Sequence, residues 1–169
     1  PACGRQEPIA WIFLFISGGI RRVIHSISKL FRMSKQYSLG AGRYVSVKKQ
    51  DGALNITIAE TGSDVKTSTF PARRWVHLTN LIEQVDESVN CLLVKQNVNL
   101  QLPIGGKFYV SVTTGYACVD LREFYFHPLK GVRPTKHGIA LRLSEWTALK
   151  DVMRQLFTKY PILFLVTNI

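Results

Sequence analysis

Basic and aromatic side chains are interleaved through the C-terminal part of the chain. The set comprises Lys107, Tyr109, Tyr116, Arg122, Tyr125, Arg133, Lys136 and His137. Basic groups contact phosphates and aromatic rings stack on unpaired bases, so this mixture is typical of a surface that binds single-stranded nucleic acid. Lys48 is a further basic candidate in the N-terminal part. We expect these residues to contribute to a nucleic-acid-binding site.

Each candidate also has a plainer interpretation. The tyrosines fit half-buried positions on strands. Arg122 lies between Asp120 and Glu123, so a surface ion pair is an alternative role for it. The basic residues 133–137 also fit a solvated loop. The sequence leaves these alternatives open.

The sequence contains no residue set that is typical of catalysis, a cofactor or a metal. Gly105-Gly106-Lys107 lacks the upstream glycine of a phosphate-binding loop. The histidines are scattered, without a matched nucleophile or carboxylate pair. Cys3, Cys91 and Cys118 have no CxxC spacing, which argues against a zinc site and a disulfide framework. We therefore expect a protein that is not an enzyme and uses no cofactor.

Net charge favours a polyanionic partner and places it on the C-terminal part. The chain has 169 residues and a net charge of +11. Residues 33–90 are nearly neutral, with seven basic and six acidic residues, whereas residues 91–169 carry ten and four. Such a surplus attracts nucleic acid or an anionic membrane.

The N-terminal 32 residues differ in character from the rest. The apolar run Ile9–Ile16 is followed by glycines and by Arg21-Arg22, so it is too short to span a bilayer. Met33 opens a polar stretch that suits the start of a soluble protein. We expect residues 1–32 to be a leader, an artefactual segment or an extra packed element, with a secretory signal as a further alternative.

Two parts of the chain follow the same pattern. The run at 42–47 recurs at 106–112, and each is followed by a glycine-containing turn and a second alternating run, which predicts a β-hairpin in each. Each part then ends in a helix. Pro71 opens the first, with an apolar stripe from Trp75 to Val89, and Ser144 is the expected N-cap of the second, whose stripe contains Trp146. Both tryptophans are expected in the core, and the acidic block 83–87 on a solvated helix surface.

These elements predict an α+β fold of two ββββα units that pair within one chain. A unit of about 60 residues has little core of its own, so two units are expected to bury their helices against each other. The expected order is residues 1–32 as the leader or extra segment, 33–90 as a degenerate unit, 91–160 as a complete unit and 161–169 as an apolar tail.

The segment 104–156, with VDLREFYF, RPTKHGIAL and SEWTALKDVMRQL, closely resembles the C-terminal domain of the positive cofactor four family. The first part resembles the same pattern more weakly, so the chain looks like two tandem copies. Plant Whirly proteins are similar in carrying two such units. The resemblance implies a curved four-stranded sheet with a helix, used as a dimer by a single-stranded-DNA-binding coactivator of RNA polymerase II.

The resemblance also implies roles for individual residues. Arg122 stands where the family has a DNA-contacting strand arginine, and Tyr125 where it has a stacking tryptophan. Arg133, Lys136 and His137 fall on its basic loop and strand. Tyr116 stands at a lysine position, where it can stack instead.

The first part departs from the family pattern. Ala59 replaces the strand arginine and Thr57 the strand carboxylate, although Lys48 matches a basic position. We expect this part mainly to complete the fold.

The expected function is single-stranded DNA binding in transcription coactivation, in the nucleus. The partners are melted promoter DNA or RNA, and general transcription factors or RNA polymerase II by resemblance, with self-association as an open point. The alternative is an interaction scaffold of the transcription machinery without strong nucleic-acid binding. A third hypothesis takes the Ile9 run and the apolar tail as membrane-surface contacts.

Overall fold

A computed structural model describes residues 35–50, 53–62 and 67–161, which form two antiparallel four-stranded sheets with their strands in chain order. The first half comprises β1 (Gln36–Gly40), β2 (Arg43–Gln50), β3 (Ala53–Glu60), β4 (Thr67–Pro71), α1 (Ala72–Asn80) and α2 (Ile82–Leu93). The second half comprises β5 (Asn99–Gly105), β6 (Phe108–Thr113), β7 (Cys118–His127), β8 (Gly131–Arg142) and α3 (Leu143–Lys159). The predicted α+β fold of two ββββα units is confirmed.

The hairpins form as the alternating sequence patterns predict. In the first half β2 pairs with β3, and in the second β6 pairs with β7. Both sheets contain the same irregularity, a bulge in the first strand immediately before a glycine turn, at Gly40 and at Gly105. Both glycines have positive φ angles, which side chains disfavour, so glycine is needed there.

The first half ends in two helices where a single helix was expected. Helix α1 stops at Asn80, and α2 starts at Ile82 after the non-helical Leu81. The predicted apolar stripe nevertheless faces the core, since Trp75, Leu78, Val85 and Val89 are buried. Ile82 lies partly buried against them.

Helix α3 begins two residues earlier than expected, so the prediction of Ser144 as N-cap is wrong. Arg142 occupies the N-cap position, and its backbone N–H donates to Glu145 Oε2 at 2.7 Å. A carboxylate three residues into the helix satisfies this free N–H, which a serine within the first turn does not do.

The two halves share one apolar core. Helix α3 packs on β1 of the first sheet as well as on β7 and β8 of its own. Helices α1 and α2 likewise reach across to β5 and β6. Trp75 and Trp146 are both buried within this core, as predicted. Each sheet therefore has one face covered by helices from both halves.

Polar contacts also join the halves. Arg43 Nη1 lies 2.7 Å from Glu145 Oε2, and Glu145 is only 2% exposed. Asp86 accepts hydrogen bonds from Trp146 Nε1 at 2.7 Å and from Lys150 Nζ at 2.6 Å. Asp86 belongs to the acidic block expected on a solvated helix surface, and for this residue that expectation is wrong, because it bridges α2 to α3.

Several predictions fall outside the described residues. These are the leader at 1–32, the Asp51-Gly52 turn, and all but the first residue of the tail at 161–169. Among the described helices, none is both long enough and apolar enough to cross a membrane.

Replacing Arg43 tests whether the buried ion pair holds the two halves together. Arg43→Ala leaves the buried Glu145 carboxylate without its cation, and we expect the free energy of unfolding to fall by about 3 kcal/mol in urea. Arg154→Ala is the matched control, because Arg154 forms an exposed pair with Asp151. Loss of an exposed pair costs about 0.5 kcal/mol. Equal stability of the two variants would contradict this account.

Candidate nucleic-acid interface

The second sheet has one face turned away from the core, which we call the open face. Val119 and Leu121 on β7 are fully buried, so the alternating Asp120 and Arg122 lie on the opposite side. Across the strand pair, Arg122 stands opposite Tyr109. Arg122 and Tyr109 are therefore neighbours on the open face, as an interface that combines a cation with an aromatic ring needs.

Arg122 is held in place by three hydrogen bonds. Its Nε and Nη2 donate to the two carboxylate oxygens of Asp120 at 2.8 and 3.2 Å, and its Nη1 donates to the Thr135 carbonyl at 3.0 Å. The hydrogen bond to Asp120 raises the pKa of Arg122, with burial opposing the rise. A guanidinium has five N–H donors, so two remain for a ligand. The ion pair considered in the sequence thus forms and leaves Arg122 able to bind a phosphate.

The first sheet lacks this arrangement at the same register position. Tyr44 on β2 stands opposite Ala59, and Ser46 stands opposite Thr57. The corresponding pairs of the second sheet join Tyr109 to Arg122 and Ser111 to Asp120. Lys48 is exposed farther along β2. Ala59 therefore occupies the position in the first sheet that Arg122 occupies in the second sheet.

Strands β7 and β8 continue beyond the rest of the second sheet as a two-stranded ribbon, residues 124–134. The last partner of β6 on β7 is Glu123, whereas β7 and β8 remain paired from Phe124–Pro134 to His127–Gly131. The ribbon therefore projects past the last residue pair that joins β6 to β7.

Aromatic rings lie on both faces of the ribbon. Phe124 continues the open face, and its ring contacts that of Tyr109 edge-on at 5.2 Å between centroids. Tyr125 alternates to the other face, where its ring lies 6.4 Å from that of His127. Arg133 is the cross-strand partner of Tyr125 and is exposed. Tyr125 and Arg133 thus lie together, on the face of β7 opposite to Arg122.

The outer end of the ribbon carries exposed apolar side chains beside basic ones. Phe126 is 73% exposed and Leu129 is 91% exposed. Residues 124–137 include Lys130, Arg133 and Lys136 but no acidic residue. The sequence predictions did not include Phe124, Phe126 and Lys130. The signal for Phe124 and Phe126 was present in the run of three consecutive aromatics, since alternation along a strand exposes adjacent residues on opposite faces.

The remaining predicted site residues lie at different distances from the ribbon. Lys107 is exposed at its base, where the Lys107 carbonyl accepts a hydrogen bond from the Phe124 N–H at 2.8 Å. Lys136 and His137 are exposed in the irregular part of β8 between Pro134 and Gly138. Tyr116 is exposed in the β6–β7 turn, about 20 Å from the ribbon along β7. The structure thus places all of these candidates except Tyr116 and Lys48 on or beside the ribbon, with Arg122 and Tyr109 on the open face and Tyr125 and Arg133 on the opposite face.

No cluster of potential metal ligands occurs within the described residues. The Cys118 thiol lies half-buried at the start of β7. Burial raises the pKa of this thiol, and the Asp120 carboxylate adds to the rise, while Arg122 and Arg43 oppose it. A raised pKa keeps the thiol protonated and unreactive at neutral pH.

Comparison with known proteins bears on the second half only. Residues 103–152 match the family model described as Transcriptional Coactivator p15 (PC4). The match runs from the end of β5 into α3 and includes the open face and the ribbon, and it detects one copy where the sequence suggested two. A search of curated proteins found no match. The part of the chain that carries the candidate interface is therefore similar to the p15 (PC4) coactivator family.

Proposed function

We propose that this protein binds single-stranded DNA through its second half and acts as a transcriptional coactivator of RNA polymerase II. The ribbon and the adjoining open face form the binding surface. The first half completes the shared core and contributes only a weak basic surface around Lys48. The chain acts without catalysis.

The ribbon is the observation that carries this proposal. It presents aromatic rings on two faces within a stretch that has basic residues and no acidic one. Stacking of an unpaired base on an aromatic ring contributes about 1 to 3 kcal/mol and tolerates most bases. A duplex keeps its bases stacked inside, so these rings favour single strands.

Phosphate contacts come from the basic residues around the rings. Lys107 lies at the base of the ribbon, Lys130 near its tip, and Arg133 beside Tyr125. This spacing suits a strand that runs along the ribbon with its phosphates toward the lysines and arginines. Such contacts carry little sequence information, so broad specificity is expected.

The coactivator role rests on the similarity of residues 103–152 to the p15 (PC4) family of transcriptional coactivators. For a coactivator of this kind, the DNA bound is melted promoter DNA and the compartment is the nucleus. General transcription factors are the corresponding protein partners.

An interaction scaffold is the second candidate function. The observation that favours it is the exposed apolar end of the ribbon, at Phe126 and Leu129. Exposed apolar side chains of this kind also occur at protein-protein interfaces. Binding measurements with oligonucleotides distinguish the two functions.

A comparison of strands tests the proposal. We expect the full chain to bind an oligothymidylate of about 20 nucleotides with micromolar or tighter affinity, measured by fluorescence anisotropy, and to bind a duplex of equal length much more weakly. The logarithm of the affinity should fall linearly with the logarithm of the salt concentration, by about 0.7 per neutralised phosphate. Equal binding of both forms, or the absence of a salt dependence, would contradict the proposal.

Neutralising Asp120 tests the role of Arg122. In Asp120→Asn the guanidinium loses its carboxylate partner and keeps its bond to Thr135. We expect oligonucleotide affinity to rise about three- to tenfold, because a charged hydrogen bond of about 1.5 kcal/mol to Asp120 no longer competes with phosphate.

Asp151→Asn is the matched control for this experiment. It adds the same charge on α3, away from the open face, and should change affinity much less. A fall in the affinity of Asp120→Asn would contradict competition by Asp120 and indicate that Asp120 orients Arg122 for binding.

A further inference from the structure

A second basic site lies where the first half meets the β5–β6 turn. A cavity of about 360 Å³ is lined there by Arg73, Arg74 and His77 of α1 and by the backbone of Gly105 and Gly106. We call it the α1 pocket. It has cationic or titratable side chains in its walls and no acidic residue, which is unusual for a cavity between packed elements.

Arg74 is a partly buried cation without a carboxylate partner among the described residues. Its Nε donates to the Gly105 carbonyl at 3.2 Å, and its guanidinium lies 4.3 Å from the centre of the Phe108 ring. Burial lowers the pKa of Arg74, and the more distant Glu123 carboxylate opposes this effect. The positive charge is thus desolvated without being paired.

The equivalent place in the other half shows what is missing. Arg74 and Glu145 are each the third residue of their helices, one before the buried tryptophan. Arg43 and Phe108 are likewise equivalent, each following the bulge and glycine turn. At the second junction Arg43 and Glu145 form the buried ion pair. At the first junction, the Phe108 ring occupies the position of the Arg43 cation. The Arg74 cation occupies the position of the Glu145 carboxylate.

The α1 pocket therefore has the donors of an ion pair and lacks the anion. Arg73 is exposed and forms no hydrogen bond or ion pair with the described residues, so its guanidinium is available. The planar fork of an arginine matches the oxygens of a phosphate. Glycine at 105 and 106 keeps side chains out of the approach. Two arginines and an imidazole offer more donors than a carboxylate ligand accepts, which favours phosphate.

We propose that the α1 pocket binds a phosphate group that carries at most one ester bond. The phosphate is supplied either as a free ion or as the phosphorylated end of a nucleic-acid strand. The second source rests on the proposed function, whereas the first does not.

Titration of the full chain with inorganic phosphate tests this site directly. At constant ionic strength we expect saturable binding in the millimolar range, measured by ³¹P NMR line broadening. Arg73→Gln and His77→Gln should each weaken it at least fivefold. Arg73 and His77 are both exposed, so these variants are expected to fold. Arg154→Gln, which removes an exposed arginine of α3, is the matched control and should leave phosphate binding unchanged.

A second arm compares oligothymidylates that carry a 5′-phosphate, a 3′-phosphate or no terminal phosphate. Tighter binding of a phosphorylated strand, by threefold or more and only when Arg73 is present, supports the pocket with a strand end as its ligand. Phosphate binding without that preference supports the pocket with free phosphate.

Failure to bind phosphate, or binding that Arg73→Gln leaves unchanged, would overturn the α1 pocket as a phosphate site. The proposed function has a separate outcome, because binding of the unphosphorylated oligonucleotide does not depend on the α1 pocket. If the chain still binds the oligonucleotide but does not bind phosphate, the phosphate site is overturned and the proposed function is not.

Discussion

Sharing of one apolar core between two small sheets is the constraint on which the rest of the structure depends. A four-stranded sheet with its own helix has only a small apolar core, so its stability alone is marginal. Here α3 covers part of the first sheet, and α1 and α2 cover part of the second. Each sheet has its covered face fixed by this exchange, and the other face of the second sheet carries Arg122 and Tyr109. The candidate interface lies on the second sheet because the helices cover only the core-facing side of that sheet.

The two halves share this architecture but differ at matching positions. Their hairpins have the same register and the same bulges, but the paired positions carry different chemistry. One junction is closed by Arg43 and Glu145, and the other holds Arg74 over Phe108. On the open faces, Arg122 of the second sheet corresponds to Ala59 of the first. The halves thus complement each other, and the second half carries the residues suited to a polyanion.

Much of this fold could be predicted from the sequence, because it depends on alternation and on helical stripes. The hairpins and the buried Trp75 and Trp146 follow from periodicity alone. The start of α3 could not be predicted from periodicity. It depends on the Glu145 carboxylate, which caps the helix and is also held by Arg43 of the other half. The role of Asp86 is tertiary in the same way, since its partners Trp146 and Lys150 lie 60 and 64 residues away along the chain.

The candidate site was predictable in composition but not in arrangement. Arg122 and Tyr125 were both recognised in the sequence. Their placement on opposite faces follows from their odd spacing along β7, which the sequence also shows. The length of the ribbon could not be read in this way, because it depends on where β6 ends. The α1 pocket was not predicted either, since its walls come from both halves.

The central claim is that the ribbon of the second half binds the single strand. The most direct test compares oligonucleotide binding by Tyr125→Ala, which removes a ring from the ribbon, and by Lys48→Ala, which removes a charge from the first sheet. The account predicts a loss of about 1 to 3 kcal/mol for Tyr125→Ala, and a smaller loss for Lys48→Ala. A larger effect at Lys48, or none at Tyr125, would contradict it.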